Sequence, residues 1–525
     1  MPPASQPRGR GFGVRGVDRR IFIECTYTHF SGGSTGIQRV VRSVCGRCGN
    51  VGEDLGARCI PVIFEGGKFW GIRKVSRKPL RSAVLDQAAP IRVFLRRVYA
   101  LLAGLLHGAL PRHPAITRFL FPPNGHRGLK TILKSVGKVL LSPLAWQYRK
   151  RRIAWEDGDV LILLDASWQL DLWDALAEAR KAGTRVVAVI YDLIPLTHPQ
   201  FCVEEHIRAF EGWLRNVCEH ADSFIAISDT VARELARRLQ SDSSFRHAIT
   251  RTVDHFYLGC DFNTCPRAGP SPAVGLRPAG GRVRKDLLDV FAPTTGAGAY
   301  LTVGTLEPRK NHAYLLDAFE RVWEKRPEVR LCIAGAKGWL SEAVRERIRG
   351  HPLYGKRLFM FHDLSDAELS YCYSRAKALL FPSLAEGFGL PIVEALDHGA
   401  VVFANDIAAF REIGEEYCAF FDGTSPESLA RIVVDYETTG RLPVRRSPKE
   451  FRWTDWTESC RSLLGKALET RPARRPDKSG PRDTPPASGG ADDTSCRGGP
   501  MCPPSSVGKE GPHIGGPPQE NDLHL

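Results

Sequence analysis

The feature that most constrains the fold is a regular alternation of short apolar runs with amphipathic stretches. Each run is rich in β-branched residues and ends at a polar residue or a glycine, a pattern typical of strands buried on both faces of a parallel sheet. Between the runs, apolar residues recur at helical spacing, as they do from Leu315 to Trp323. The alternation predicts βαβ units and therefore an α/β fold with parallel sheets. The predicted strands are Val160–Leu164, Val186–Ile190, Phe224–Ile227, Tyr300–Val303, Val329–Ala334, Leu379–Phe381 and Val401–Ala404.

The alternation is interrupted between residues 261 and 298 by a segment rich in Gly, Pro, Arg and Ala, so we expect two domains. The last 55 residues hold 11 Pro and 9 Gly, and this composition cannot bury enough surface to offset the entropy of ordering. The predicted organisation is a disordered N-terminus (1–20), a first parallel-sheet domain (21–265) with a basic insert (71–155), a linker (266–298), a second parallel-sheet domain (299–440), a helical segment (441–470) and a disordered tail (471–525).

Positive charge is concentrated in the insert. The chain carries a net charge of +15, yet residues 71–155 alone contain 18 Lys and Arg residues against one acidic residue, Asp86. Such a concentration is typical of contact with anionic lipid or nucleic acid. We expect no nucleic-acid partner, because no recognised nucleic-acid module is present and few aromatic residues could stack on bases. The apolar run at 98–106 is too short to span a bilayer, so an anionic membrane surface and a helical excursion packed on the first domain both remain open.

Targeting and redox features favour the cytoplasm. Residues 1–20 contain no apolar core of the kind found in a secretory signal, and no apolar stretch approaches 18 residues. The 14 cysteines are scattered, mostly within apolar runs, as buried thiols in a reducing compartment would be. We therefore expect a cytoplasmic protein, with a peripheral position on the inner face of the membrane as the alternative.

The densest group of candidate functional residues follows the predicted strand Leu379–Phe381. In the stretch Phe381-Pro-Ser-Leu-Ala-Glu-Gly-Phe-Gly-Leu-Pro-Ile-Val-Glu394, glycines would let the backbone approach a ligand, and a helix starting near Leu390 would offer free N–H groups to a phosphate. Ligands of open α/β sheets bind beyond the carboxyl ends of the strands. Glu386 and Glu394 could bind two parts of one elongated ligand. The alternative is that neither binds a ligand: Glu386 would be a carboxylate at the start of the helix, where it favours the dipole, and Glu394 a residue on the helix surface.

A second group, Val303-Gly-Thr-Leu-Glu-Pro-Arg-Lys-Asn311, also follows a predicted strand and precedes a predicted helix. Gly304 suits a tight turn. Arg309 and Lys310 place two cations just before a helix N-terminus, where they oppose the helix dipole unless an anion lies between. A diphosphate is the natural candidate for that anion, and a solvated basic loop is the alternative.

Three weaker patterns lie in the first domain. The loop Gly32-Gly-Ser-Thr-Gly-Ile-Gln-Arg39 is rich in glycine but fits neither the dinucleotide fingerprint nor a Walker loop. Asp192 follows the strand Val186–Ile190 and could orient an acceptor or merely form a turn. Asp157-Gly-Asp159 has the D-x-D spacing of some metal sites, but it precedes its strand, so we expect a turn there and no metal site.

The E-x₇-E frame from Glu386 to Glu394 and the Gly-Thr-Leu-Glu-Pro-Arg-Lys-Asn motif upstream resemble those of the group 1 (family 4) retaining glycosyltransferases of the GT-B fold. The strong similarity covers residues 300–440. Weaker similarity in the first domain, to bacterial members that add mannose or rhamnose in surface polysaccharide assembly, covers Thr35–Arg39, Leu164–Trp168 and Tyr191–Leu196. The resemblance implies two Rossmann-like domains that face a central cleft, with the acceptor bound by the first domain and the nucleotide sugar by the second, the donor domain. It also implies that a helix within residues 441–470 crosses back to the first domain.

The resemblance also implies roles for particular residues. Glu386 would contact the donor sugar near the reacting carbon, and Glu394 would bind the ribose. Many family members have an arginine where this chain has Thr305, so diphosphate binding would depend more on Arg309 and Lys310. The expected site comprises two catalytic residues, Glu386 and Asp192, and the donor-binding residues Gly36, Gly304, Arg309, Lys310, Phe388, Gly389, Leu390 and Glu394.

The implied activity is retaining transfer of a hexose, with mannose or rhamnose favoured, from a nucleotide sugar to a saccharide or lipid-linked saccharide. We expect no cofactor and no metal, since the sequence contains no convincing cluster of metal-ligating residues. A cation pair and a helix N-terminus would stabilise the negative charge that develops on the leaving diphosphate. Three alternatives remain: a nucleotide-sugar epimerase on the same fold, paired-carboxylate glycoside hydrolysis, and a non-catalytic nucleic-acid-binding protein.

Overall fold

The computed structural model describes residues 19–31, 35–75, 150–248, 251–260, 283–291 and 298–470. Its strands form two sheets within one compact unit. The strands are β1 (Arg19–Glu24), β2 (Ala57–Glu65), β3 (Lys68–Gly71), β4 (Arg151–Arg152), β5 (Val160–Leu163), β6 (Arg185–Ile190), β7 (Ser223–Ala226), β8 (Thr252–His255), β9 (Ala299–Val303), β10 (Arg330–Ala334), β11 (Leu358–Phe361), β12 (Ala378–Phe381), β13 (Val401–Asn405) and β14 (Cys418–Phe421).

Helices cover both sheets and connect successive parallel strands. The helices are α1 (Thr26–Ser31), α2 (Gly36–Asp54), α3 (Trp173–Lys181), α4 (Ile194–Thr197), α5 (Glu204–His220), α6 (Asp229–Ser241), α7 (Lys285–Phe291), α8 (His312–Lys325), α9 (Glu342–Gly350), α10 (Asp366–Arg375), α11 (Leu390–Asp397), α12 (Ala408–Gly414), α13 (Pro426–Thr439) and α14 (Trp456–Glu469).

The first sheet has the strand order β4-β3-β2-β1-β5-β6-β7-β8. All neighbouring strands are parallel except near one edge of the sheet, where β3 runs antiparallel to both β2 and β4. Alternate residues of a strand enter different cores: Val160 and Ile162 of β5 pack on one face, and Leu161 and Leu163 pack on the other. Burial on both faces explains why this strand reads as a continuous apolar run.

The second sheet is entirely parallel, with the order β11-β10-β9-β12-β13-β14. Numbered within the sheet, this is the doubly wound order 3-2-1-4-5-6, and the direction of winding reverses between β9 and β12. The α/β fold with two parallel sheets is confirmed. The seven strands expected from apolar runs are all present, with bounds that differ by no more than one residue at either end.

The C-terminal helix α14 packs on the first sheet although it follows the second in sequence. The Cys460 thiol lies 3.8 Å from the carbonyl oxygen of Val44 in α2, and the hydroxyls of Ser223 and Thr470 are 2.9 Å apart. The chain therefore crosses back to the first sheet after it leaves the second.

Two boundaries differ from the sequence-based expectation. The first strand begins at Arg19 rather than after residue 20, because Arg20 forms a two-pronged ion pair with buried Asp159, at 2.8 and 2.7 Å. Helix α7 lies within the expected linker, since it has three apolar residues to bury: Leu287, Val290 and Phe291.

Several expectations concern residues outside the described ranges. They include most of the basic insert (residues 76–149), the tail (471–525) and residues 1–18 of the expected disordered N-terminus. Within the ranges that the structure describes, no helix is long and apolar enough to cross a membrane.

Candidate active site

A cavity of about 560 Å³ opens at the carboxyl ends of both sheets. The loops that follow β9 and β12 border it, at the point where the second sheet reverses its winding and where ligands of such sheets bind. Residues that follow β1, β5 and β6 of the first sheet form the facing wall. All ten residues expected from the sequence line this cavity: Gly36, Asp192, Gly304, Arg309, Lys310, Glu386, Phe388, Gly389, Leu390 and Glu394.

Four charged side chains form a compact cluster between the two loops of the second sheet. Arg309 lies between two carboxylates, with its Nη1 2.7 Å from Oε2 of Glu386 and its Nε 3.0 Å from Oε2 of Glu307. The Lys310 ammonium pairs with the other carboxylate oxygen of Glu386. Both cations thus pair with a glutamate of the chain itself, a partner that the sequence did not reveal.

The cluster is largely shielded from water, so its charges interact strongly. Burial by itself would raise the pKa of Glu386, but the charges of Arg309 and Lys310 outweigh burial and hold that pKa at about 2. Burial lowers the pKa of Lys310, and the nearby Glu386 charge partly offsets this effect. Two cations and two carboxylates, Glu307 included, leave the cluster balanced in charge.

Backbone contacts hold the two loops together. Residues Pro308–Lys310 form a single 3₁₀ turn, and the following Asn311 has a left-handed backbone with a φ of 58°. The carbonyl oxygen of Arg309 accepts the N–H of Leu384 at 2.8 Å, which joins the loop after β9 to the loop after β12. The Asn311 side chain donates to the carbonyl of Gly423 at 3.0 Å.

Glycines allow the loop after β12 to pack closely at two places. Gly389 precedes helix α11 with a φ of 118°, in the left-handed region that favours glycine. A Cβ at Gly387 would overlap the carbonyl oxygen of Tyr191 in the first domain. The Ser228 hydroxyl, also in the first domain, donates to the Gly387 carbonyl at 2.6 Å. The loop that carries Glu386 therefore contacts both domains.

Other members of the expected donor site lie around this loop. Phe388 is 3% exposed and its ring packs near Trp453, so its side chain is enclosed by the protein. Gly36 is the first residue of α2, and the space where its side chain would lie is open. Gly304 lies against the aliphatic part of Lys310.

Glu394 is buried and already has two partners. The Tyr373 hydroxyl donates to its Oε2 at 2.8 Å, and Arg39 of α2 in the first domain forms an ion pair with its Oε1. The charge of Glu394 is the main cause that raises the pKa of Arg39. Arg39 belongs to the stretch Thr35–Arg39, but the sequence predicted no role for it. Its partner Glu394 lies 355 residues away along the chain.

Asp192 faces the charged cluster from the first domain. Its Oδ1 accepts the N–H of Ile194 at 3.0 Å, as in a turn that an aspartate initiates. Burial raises the pKa of Asp192, and the charge of Arg309 partly offsets that rise. The turn-forming interpretation and a role facing the cleft are thus both compatible with this position.

Groups of three or more potential metal-ligating side chains are absent from the described parts of the chain. In the D-x-D pattern, Gly158 has a φ of 86° and Asp159 is paired with Arg20, which is the geometry of a structural turn.

Comparisons with known proteins agree with the geometry of the cleft. A trehalose-6-phosphate synthase, OtsA, aligns with a TM-score of 0.50 at 12% identity, covering 86% of this chain and 100% of its own. At this identity the likeness shows the fold alone: two parallel-sheet domains in the GT-B arrangement.

Sequence comparison is more specific. The family described as "Glycosyl transferases group 1" matches residues 289–450. A phosphatidyl-myo-inositol mannosyltransferase of Mycobacterium tuberculosis is 32% identical over 340 residues, 64% of this chain and 75% of the relative. The serotype-specific mannosyltransferase WbdA of Escherichia coli is 32% identical over 320 residues, 59% of this chain but only 37% of that longer relative. The chain belongs to the group 1 glycosyl transferases.

Proposed function

We propose that the chain is a retaining glycosyltransferase that moves a hexose, with mannose favoured, from a nucleotide sugar to a saccharide or lipid-linked saccharide. The observation that carries the proposal is the convergence of Glu386, Arg309 and Lys310 from one domain and Asp192 from the other on one cavity. The mannosyltransferases among the relatives favour mannose over rhamnose.

The charged cluster is suited to the departure of a nucleoside diphosphate. As the bond from the sugar to the diphosphate breaks, negative charge develops on the phosphate oxygens. Arg309, Lys310 and the N-terminus of α11 would stabilise this charge, because they are preorganised in a site with little water. To bind phosphate, the two cations must share or exchange their present contacts with Glu386.

Glu386 and Asp192 would act on the sugars. When the diphosphate takes up the charge of Arg309 and Lys310, the Glu386 carboxylate is free to accept hydrogen bonds from hydroxyls of the donor sugar. Its negative charge would also favour the positive charge that develops on the sugar ring. Asp192 would orient the attacking hydroxyl of the acceptor from the opposite wall, on the same face of the sugar as the leaving group.

The charge state of Glu386 argues against this residue as the general acid of a glycoside hydrolase. A hydrolase needs one carboxylic acid with a raised pKa to protonate the leaving oxygen. Here the pKa of Glu386 is held at about 2, so this residue would not carry a proton near neutral pH. A diphosphate departs as an anion, so transfer from a nucleotide sugar needs no side-chain proton donor at the leaving oxygen.

We further propose that the acceptor is met at an anionic membrane surface, through the basic insert. Arg151 and Arg152 at its end are exposed on the edge strand β4, and the insert departs from the same edge of the first sheet after β3.

The proposal is tested by a panel of nucleotide sugars that includes GDP-mannose, assayed with and without saccharide acceptors in EDTA. We expect transfer that needs an acceptor and persists in EDTA, because protein cations would meet the diphosphate charge. Conversion of the nucleotide sugar to an epimer without acceptor would instead identify an epimerase. Arg309→Gln should lose transfer, whereas Arg321→Gln, which breaks a surface pair with Glu427, should not.

A further inference from the structure

Three aromatic side chains form a strip along the cavity, next to Asp192. Trp168 lies in the turn after β5, His206 lies in α5, and Trp339 lies in the loop after β10 of the second domain. The ring centroids of Trp168 and His206 are 5.7 Å apart, and those of His206 and Trp339 are 5.6 Å apart. The aromatic strip, Trp168–His206–Trp339, thus crosses from one domain to the other.

Neighbouring contacts hold the two tryptophans in position. Trp339 donates its indole N–H to the carbonyl of Phe201 in the first domain at 2.8 Å. The next residue, Leu340, is exposed and has a φ of 51°, a conformation that is unfavourable for a bulky side chain. Trp168 packs against the buried ring of Trp213. The indole N–H of Trp213 donates to the Ser167 hydroxyl at 2.9 Å.

Burial distinguishes the strip from the hydrophobic core behind it. The cavity borders both groups, but Phe210 and Trp213 are each 5% exposed, as expected for core residues, whereas all three rings of the strip are only partly buried. Aromatic surface that remains open beside a reactive site is typical of ligand pockets that combine apolar walls with a few polar groups.

The polar groups next to the strip belong to the acceptor side of the cavity. Asp192 lies close enough to His206 for their charges to interact, and it also interacts with Arg309 of the charged cluster. Gln169 follows Trp168 and is exposed at the mouth of the cavity. A pyranose ring has the complementary surface, with a face of C–H groups and a rim of hydroxyls.

We propose that the aromatic strip binds the terminal pyranose of the acceptor saccharide and directs its attacking hydroxyl to Asp192. The inference rests on the proposed function and extends it, because it assigns the acceptor subsite to residues of both domains. The nucleoside of the donor would lie elsewhere in the cavity, beside Glu394. Because Trp339 belongs to the donor domain, the subsite is complete only in the arrangement of domains seen here.

The test uses the full chain with GDP-mannose and two acceptor sets, methyl hexopyranosides and the same sugars as octyl glycosides. Trp339→Leu and Trp168→Leu should each raise the acceptor KM at least tenfold in both sets, while Trp339→Phe should stay within threefold of the wild type. The Kd for GDP-mannose and its slow hydrolysis without acceptor should change less than twofold. Trp173→Leu, a partly buried tryptophan of α3 outside the cavity, is the matched control and should change none of these values.

The outcomes separate the subsite from the proposed function. Acceptor KM values that stay at the wild-type level in both leucine variants would overturn the subsite, as would a loss of GDP-mannose affinity, which would assign the strip to the nucleoside. An effect confined to octyl glycosides would show that the strip binds the lipid portion, contrary to the proposal. A wild type that hydrolyses GDP-mannose but glycosylates no pyranoside would overturn the subsite alone. A wild type that binds and hydrolyses neither GDP-mannose nor any other nucleotide sugar of the panel would overturn the proposed function, and the subsite with it.

Discussion

Replacing Glu386 with glutamine would keep the shape of the side chain but remove the charge that neutralises Arg309 and Lys310. The cluster holds the pKa of Glu386 at about 2, against an ordinary value of 4.5. At about 1.4 kcal/mol per pKa unit, this difference corresponds to about 3 kcal/mol. That value agrees with the cost of about 3–5 kcal/mol that is typical when one partner is removed from a buried ion pair. We expect Glu386→Gln to lower the free energy of unfolding at pH 7 by about 3 kcal/mol.

The pKa also gives the pH range of this contribution. The pKa in the folded state is lower than in the unfolded state, so the stabilisation is complete above pH 4.5 and is lost as the pH falls from there towards about 2. Denaturant unfolding curves of the wild type and of Glu386→Gln should therefore differ most at neutral pH and converge in acid.

The same substitution should increase the response to a nucleoside diphosphate, because Glu386 competes with phosphate for both cations. In thermal unfolding, GDP or UDP should raise the melting temperature of Glu386→Gln more than that of the wild type. Sugar transfer should nevertheless fall by about 100-fold or more, as for other losses of a preorganised charged contact.

Glu437 offers a matched control outside the cavity. It accepts the Tyr300 hydroxyl at 2.7 Å and pairs with Lys377 at 2.6 Å. Glu437→Gln should also destabilise the fold but should leave transfer and the nucleotide response unchanged. Equal stability of Glu386→Gln and the wild type, or the same GDP shift in all three proteins, would refute the account of the cluster.

Three further substitutions test other parts of the account. Lys310→Ala should lower kcat by about 30- to 1,000-fold, equivalent to about 2–4 kcal/mol of barrier, and an effect below twofold would remove Lys310 from the site. Burial raises the pKa of Asp192, so kcat/KM should fall in acid at a pH above the usual aspartate range. That acid limb should be absent from the residual activity of Asp192→Asn. The wild type should sediment with anionic vesicles at low salt, and Glu in place of Arg151 and Arg152 should weaken this binding; no sedimentation of the wild type would reject the membrane proposal.

The sheets could be predicted because burial on both faces leaves a local signal. The run Val186–Ile190 is apolar throughout, since alternate residues enter different cores, and the strand is found at Arg185–Ile190. Strand β4 gave no such signal. It has only two residues, both exposed, and most of the basic insert lies between it and its partner β3 in the sequence.

The site residues were predictable one motif at a time, but their contacts were not. Lys310 and Glu386 are 76 residues apart in sequence and meet because β9 and β12 are neighbours in the sheet. A single sequence shows which loops follow strands but not the order of those strands. Arg309 and Lys310 both pair with Glu386, a contact that neither motif shows by itself.

The domain interface was the least predictable part. Arg39 reaches Glu394, and Trp339 reaches Phe201, through contacts that depend on how the two sheets face each other. No local pattern distinguishes such residues from ordinary surface residues. Arg39 lies in the stretch Thr35–Arg39 that resembles the family, and this resemblance was its only signal. Trp339 lies in a loop for which the sequence predicted no function.

The central claim is that this cleft transfers a hexose with retention, and an NMR time course of the first product tests it most directly. With GDP-α-mannose as donor, early spectra recorded before any anomeric equilibration should show a new α-linked anomeric signal on the acceptor. The signal should be absent from a parallel reaction with Glu386→Gln. A β-linked first product would contradict the retaining assignment of the Glu386–Glu394 frame, and transfer at the wild-type rate by Glu386→Gln would contradict the placement of the site.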